Sequence, residues 1–182
     1  MASSLQSKLG RAIRALLIQQ GAGSLADTVC ELSSADRALP ITTILTGDGA
    51  EHIPHTGNWR FGEVTLELHD SAVIEPDEVS QNRSWLDATE RYSNVRDALG
   101  RIADSGNTLF MADAITAAGR ALATSDGSAE GDQQALDNAD MAAFTVTWWH
   151  EIGLAAPTAS DTGGFWEAQL KYDCICCNSS LS

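Results

Sequence analysis

The segment 165–177 alternates apolar and polar residues over a dozen positions, and this pattern constrains the fold more than any other in the chain. The residues on its apolar side are Trp166, Ala168, Leu170, Tyr172, Cys174 and Cys176. A period of two is typical of a β-strand with one buried face. Only a larger sheet can bury that face, so other segments must supply further strands.

Three other segments are β-branched or alternate in the same way. With the first they predict a sheet of four strands, at 41–46, 64–68, 144–151 and 165–175. We expect the last two strands to pair antiparallel, because they share the alternation and a connection rich in glycine and proline joins them. That connection, 153–164, is predicted to be a long hairpin loop, and 24–39 to be a mixed connector.

Apolar residues at helical spacing predict three helices. The segment 3–19 is amphipathic, and its basic residues Lys8, Arg11 and Arg14 are predicted to face away from its apolar side. The clearest helix has an apolar stripe with steps of three and four residues, formed by Trp85, Ala88, Tyr92, Val95, Leu99 and Ile102. The alanine-rich segment 108–123 predicts the third helix.

These elements fit one domain, 1–182, because 182 residues with 43% hydrophobic content can bury an ordinary core. The segment 125–140 has five acidic residues and no basic one, and is predicted to be a solvated loop insertion. The predicted class is α+β. A largely antiparallel sheet of about four strands is packed by an N-terminal helix and one or two long helices.

The formal net charge is −14, and only two residues are lysines. Such a surface repels phosphate backbones, which argues against direct nucleic-acid binding. No apolar run is long enough to span a membrane and the N-terminus lacks a signal core, so we expect a cytoplasmic protein without a membrane partner. In that compartment the cysteines are expected to be reduced thiols. They are Cys30, Cys174, Cys176 and Cys177.

Two sets of residues suggest a metal. The segment 126–137 resembles a calcium loop with Gly131 at its turn, but it ends in Asp137 rather than in a longer Glu. His52 and His55 could join the C-terminal cysteines around zinc, but the chain has no Cys-x-x-Cys pair. We therefore predict no metal, no cofactor and no catalytic residue.

Trp148 and Trp149 are consecutive on a predicted strand, so one faces inward and the other outward. The alternation of that strand places Trp149 outward. An outward tryptophan is costly unless another subunit or a helix of the same chain covers it. Trp59 and Phe61 also fall on the polar side of their strand, so either that face is partly covered or Gly62 marks a bulge. The predicted interface residues are Trp149, Trp59 and Phe61.

The order of these elements resembles the tail terminator proteins of long-tailed bacteriophages, sometimes called minor tail or tail-completion proteins. The resemblance covers most of the chain as a pattern without an invariant motif. It rests on the N-terminal helix, a short strand before a glycine loop, a second strand leading into the long helix, and the closing strand pair. These lie at 4–18, 41–49, 57–68, and 144–151 with 164–174.

The resemblance implies a non-enzymatic virion structural protein at the head–tail junction. Such proteins form a homo-oligomeric ring, usually a hexamer, that caps the tail tube and connects it to the neck. The implied partners are further copies of the chain, the tail tube protein and the head–tail connector or neck protein, while DNA passes through the lumen without specific binding. The implied location is the tail or neck of the virion, after assembly in the host cytoplasm.

Two alternatives stay open. The nearer one is a tail tube subunit or another neck or connector subunit. The alternative of another class is a metal- or calcium-dependent enzyme or binding module that uses the acidic loop 125–140. A metal-binding assay on the purified protein separates these classes.

Overall fold

The computed structural model describes residues 4–30, 38–48, 59–72, 78–100, 108–124, 141–161 and 164–178. The helices in these ranges are α1 (Leu5–Gln19), α2 (Glu78–Gly100) and α3 (Thr108–Ala121), and α3 continues as a 3-10 turn (Leu122–Thr124). The strands are β1 (Thr28–Cys30), β2 (Ile41–Asp48), β3 (Trp59–Ser71), β4 (Phe144–Ala159) and β5 (Phe165–Asn178).

The five strands form one sheet in the order β1-β2-β3-β5-β4. β1 runs parallel to β2, and the other neighbours pair antiparallel. The predicted α+β class and the antiparallel pairing of the last two strands are confirmed. The strand count is corrected from four to five, because 28–30 form a strand within the predicted connector. Three residues are too few to show an alternating pattern.

β4 extends well beyond its predicted end. The hairpin loop predicted at 153–164 is wrong in its first part, since the strand continues to Ala159. Register shifts near Gly153 and near Pro157 accommodate both residues within the strand. β4 is an edge strand, so the missing N–H of Pro157 need not remove a ladder hydrogen bond.

The helices pack on one face of the sheet, and the core lies between them and the strands. In α1, the backbone oxygen of Gln6 accepts a hydrogen bond from Thr46 Oγ1 (3.1 Å). In α2, Arg91 donates to Thr42 Oγ1 (2.6 Å). Thr42 and Thr46 are four residues apart on β2 and therefore point to the same face. Ile44 lies between them on that face and is 1% exposed.

α1 packs against both the sheet and α3, which together bury its central turns. The prediction for two of its basic residues is wrong. Lys8 and Arg11, predicted to face away from the core, are only 1% and 4% exposed, and each makes a polar or electrostatic interaction. The helix is covered on more than one side, so its amphipathic pattern underestimates how much of it is buried.

The predicted apolar stripe of α2 is confirmed at Ala88, Tyr92, Val95 and Leu99. Trp85 is an exception, because it is 42% exposed. Ser84 takes the buried position instead, and its hydroxyl accepts a hydrogen bond from Trp166 Nε1 of β5 (3.1 Å). The last member of the predicted stripe, Ile102, lies outside the described residues.

Arginines from the helices bond to the backbone at both edges of the sheet. On β1, the carbonyl of Thr28 accepts a hydrogen bond from Arg14 Nε (2.7 Å). On β4, the carbonyl of Phe144 accepts one from Arg120 Nε (2.9 Å). These bonds occupy backbone groups that an edge strand otherwise presents to other chains.

Gly119 permits close packing of α3, and its replacement tests that contact. A Cβ at this position would lie 2.9 Å from Ala12 Cβ and 2.8 Å from Phe144 Cδ1. We expect Gly119→Ala to lower the free energy of unfolding by about 1–3 kcal/mol, despite the better helix propensity of alanine. Gly100 in α2 has open space at the same position, so Gly100→Ala is the matched control and should be neutral or stabilising. Urea unfolding measures both; equal stabilities would contradict the close packing.

Candidate interaction surface

The strand residues that alternate with the core form the second face of the sheet, which we call the open face. Its exposed or half-buried members on these three strands are Phe61, Glu63, Thr65, Glu67 and His69 of β3, Trp148 and His150 of β4, and Phe165, Glu167, Gln169, Lys171, Asp173 and Ile175 of β5. Thr145 and Cys177 continue the same face beyond Ile175 but are 7% and 0% exposed, so that end of the face is covered. The described helices pack on the opposite face. Glu63, His150 and Lys171 are exposed, so the centre of this face is accessible.

The cross-strand register arranges the open face in rows, and one row is apolar. This aromatic row consists of Phe61, Ile175 and Trp148, which are paired across β3, β5 and β4. The ring centroids of Phe61 and Trp148 are 5.9 Å apart, with planes tilted by 53°. All three residues are half-buried, so part of each remains in reach of a partner. Aromatic residues in such a position are enriched in protein–protein contacts.

The neighbouring row is acidic and consists of Glu63, Asp173 and His150. Glu63 and Asp173 stand directly opposite each other on β3 and β5, and neither forms an ion pair with a described residue. The ring of His150 lies 5.5 Å from the ring of Trp148 and so connects the two rows. Like charges directly opposite each other on a sheet are destabilising. This acidic row therefore retains a local electrostatic cost.

The remainder of the open face is polar. Gln169 donates a hydrogen bond to Glu67 across the strands (3.4 Å), and the ring of His69 meets Phe165 edge-on at 5.2 Å. Lys171 lies opposite Thr65, one row away from the acidic row. The face as defined has four carboxylates and one ammonium, which gives it a formal charge of −3. Its overall character is acidic with an aromatic end.

The predicted outward position of Trp149 is wrong. Trp149 is 2% exposed, stacks on Tyr172 at 4.6 Å and donates through Nε1 to the backbone oxygen of Leu99 (3.2 Å). A register shift between Val146 and Trp148 reverses the alternation of β4, so Trp148 points outward instead. Because the two tryptophans are consecutive on β4, one points to each face of the sheet. The sequence does not show which of the two points inward.

The other two predicted interface residues have different outcomes. Phe61 belongs to the aromatic row and is half-buried, so its predicted place on the polar side of β3 is confirmed. Trp59 begins β3, and its side chain lies outside the described residues. The structure therefore brings Phe61 together with Trp148, a residue that the alternation assigned to the core.

A second candidate surface is the outer edge of β4 at residues 152–159, which we call the free edge. At the start of the strand, Thr116 of α3 bonds to the backbone N–H and carbonyl of Val146 (2.8 and 3.1 Å). Along 152–159 no described residue makes a comparable bond to the outer edge. Ile152 and Leu154 are 49% and 42% exposed. The free edge thus combines accessible apolar side chains with backbone that no described residue pairs.

The described residues offer little for catalysis. In these ranges, no group of three or more His, Cys, Asp or Glu side chains is placed to hold a metal ion. All four cysteines are free thiols. A hydrogen bond with Cys176 and burial raise the pKa of the Cys174 thiol, so it stays protonated and is a poor nucleophile. The candidate calcium segment 126–137 and the pair His52 and His55 lie outside the described residues.

A polar groove of about 440 Å³ lies on the helix side, between α2 and the turn after α1. Arg91 in this groove donates to Asp70 (3.1 Å). Burial raises the pKa of Asp70, and Arg91 opposes that shift only in part. Burial also opposes ionisation of Asp27, but hydrogen bonds from Ser24 and Thr28 outweigh it and lower the pKa of that carboxyl. Arg91 thus connects α2 to β2 and β3, whereas Asp27 is bonded within its own turn.

No protein-family model matches this chain, and no curated protein shows significant similarity to it. None of the helices described here has the length and apolar character needed to cross a lipid bilayer.

The two tryptophans of β4 should differ sharply in their effect on stability. Trp149→Ala removes a buried ring, its stacking and a hydrogen bond, and we expect it to lower the free energy of unfolding by about 3–5 kcal/mol. Trp148→Ala removes a half-buried ring and should cost only about 1 kcal/mol. Urea unfolding followed by far-UV circular dichroism compares them. A larger loss for Trp148→Ala would contradict the assigned inward and outward positions.

Proposed function

We propose that this chain is a virion structural protein, a tail terminator whose copies form a ring at the head–tail junction of a long-tailed bacteriophage. The ring caps the tail tube, joins it to the neck and has no enzymatic activity. Three features support this function: the order of the elements, the α+β fold with its described helices on one face of the sheet, and the free edge. The free edge is the observation that carries the proposal.

The free edge differs from the rest of the surface because it is uncharged. No charged residue occurs from Ile152 to Ser160, in a chain whose net charge is −14. Copies of so acidic a protein repel each other across most of their surfaces. They approach most readily where that repulsion is absent and apolar area can be buried. The backbone of the free edge, which is not paired by the part of the chain that the structure describes, also allows a segment of another copy to add hydrogen bonds.

Two residues of α2 extend this apolar surface. The helix runs antiparallel to β4, as shown by the contacts Arg96–Glu151 at one end and Ser84–Trp166 at the other. Trp85 and Leu86 lie at the end of α2 that adjoins the end of β4, and are 42% and 57% exposed. With Ile152 and Leu154 they make up four of the five large exposed hydrophobic side chains among the described residues.

A closed ring requires a heterologous contact, in which one surface meets a different surface of the next copy. The two edges of this sheet are unlike each other. The free edge is long and apolar, whereas β1 has three residues and Arg14 bonds to its Thr28 carbonyl. This asymmetry favours a head-to-tail contact over pairing of like edges.

The distribution of basic residues suits a channel that DNA must pass. Six of the eleven basic residues are committed to the fold by burial or by bonds to described residues. They are Lys8, Arg11, Arg14, Arg91, Arg96 and Arg120. A ring with so few remaining cations has an acidic or weakly charged lumen, through which DNA slides without specific binding.

A charge placed on the free edge should prevent assembly. We expect Leu154→Lys to lower incorporation into particles by at least about tenfold, because edge lysines block association of strands. Leu25→Lys is the matched control, since Leu25 is also 42% exposed and the gain of charge is the same. Mass spectrometry of purified particles measures incorporation, and circular dichroism checks folding. Equal incorporation of both variants would exclude the free edge as the ring contact.

Imaging of particles labelled on this chain tests the function itself. A tail terminator should give a single ring of label between the tail tube and the head. Label along the whole tube would identify a tail tube subunit, and label on the head side of the junction another neck subunit. A free monomer that turns over a small substrate, or that binds calcium through 125–140, would overturn the structural role.

A further inference from the structure

The open face carries negative charge that the described part of the chain does not neutralise. Glu63 and Asp173 are directly opposite each other, and the one lysine of the face, Lys171, is paired with Thr65 in the next row. Glu63 is exposed and Asp173 is half-buried, so a partner can reach both carboxylates. Two adjacent carboxylates without a cation are complementary to a positively charged group.

The aromatic row indicates which kind of cationic side chain fits this face best. Phe61 precedes Glu63 by two residues on β3, and Ile175 follows Asp173 by two on β5, so the two rows are about 7 Å apart. A guanidinium group can bond to two carboxylate oxygens with its planar fork and stack on an aromatic ring. A lysine ammonium is a compact point charge. It can bond to a carboxylate, but it lacks the planar fork that bonds to two oxygens at once.

We propose that the open face docks an arginine-bearing segment of a different protein. Its guanidinium bonds to Glu63 and Asp173, and its side chain lies against Trp148 and Phe61. The inference depends on the strand register and the charges of the face. It therefore holds whether or not the chain forms a ring through its free edge.

The charge of the open face favours a different protein as its partner over a second copy of this chain or a nucleic acid. A second copy has net charge −14, and at least six of its eleven basic side chains are committed to its own fold. Nucleic acid is repelled because its phosphates meet a face of formal charge −3. A basic protein segment is attracted by the same charge, and the attraction also speeds its association.

A synthetic peptide that alternates arginine and threonine is a suitable probe, compared with peptides in which lysine or glutamate replaces arginine. We expect calorimetry at low salt to detect binding of the arginine peptide, several-fold weaker binding of the lysine peptide and none of the glutamate peptide. Absence of binding by the arginine peptide, or equal affinity for arginine and lysine, would overturn the proposal.

Two double variants test whether the arginine peptide binds at the acidic row. Glu63→Gln with Asp173→Asn should weaken binding of the arginine peptide by at least about tenfold, since it removes both charge-assisted bonds. Glu90→Gln with Asp113→Asn is the matched control, because it removes the same charge from exposed helix positions and should change affinity less than about twofold. Equal losses in the two double variants would show a general charge effect and overturn the assignment.

Stability provides a second readout that does not require the peptide. Removal of the opposed carboxylates should raise the urea midpoint of the Glu63→Gln and Asp173→Asn double variant above that of its control. A variant that binds less while folding better has lost a contact group rather than its structure. A lowered midpoint would show that the acidic row supports the fold and would overturn its role as a docking site.

Discussion

The ladder between β3 and β5 is the constraint on which the rest of the structure depends. Its thirteen consecutive residue pairs run from Trp59 opposite Cys177 to Ser71 opposite Phe165 without a register shift. Successive strand residues point to opposite faces, so this register decides which side chains of both strands enter the core. A slip of one position would turn the buried Leu66 or Leu170 toward the open face. The described helices pack on the side where the ladder presents its mostly apolar face.

Local patterns predicted the parts of the fold that depend on regular repetition. Alternation identified β5, and steps of three and four residues identified most of the buried stripe of α2. The failures occur where a strand is irregular. The register shift after Val146 reverses the faces of β4, and it arises from pairing with β5 rather than from the residues of β4 alone. For this reason the sequence placed Phe61 on the correct face of β3 but assigned Trp149, rather than Trp148, to the outward face of β4.

Tertiary context explains what the sequence could not show. Lys8 and Arg11 are buried although an amphipathic pattern assigns them to solvent, because tertiary contacts cover α1 on more than one side. Ser84 is buried in place of Trp85 because it bonds to Trp166, which is 82 residues away. The opposition of Glu63 and Asp173 likewise appears only once the register of two distant strands is known. Each case requires a contact between segments that are far apart in the chain.

Segregation of charge connects the fold to both proposed contacts. Much of the positive charge is used inside the molecule, at α1 and at the sheet edges, while carboxylates are left on the open face. The free edge, without charge, suits another copy of an acidic chain, and the open face suits a basic partner. Salt should then act in opposite directions on these two contacts. Screening weakens the repulsion between copies and so favours contact through the free edge, whereas it weakens the attraction of an arginine-bearing segment to the acidic row. One acidic surface can in this way keep the two kinds of partner apart.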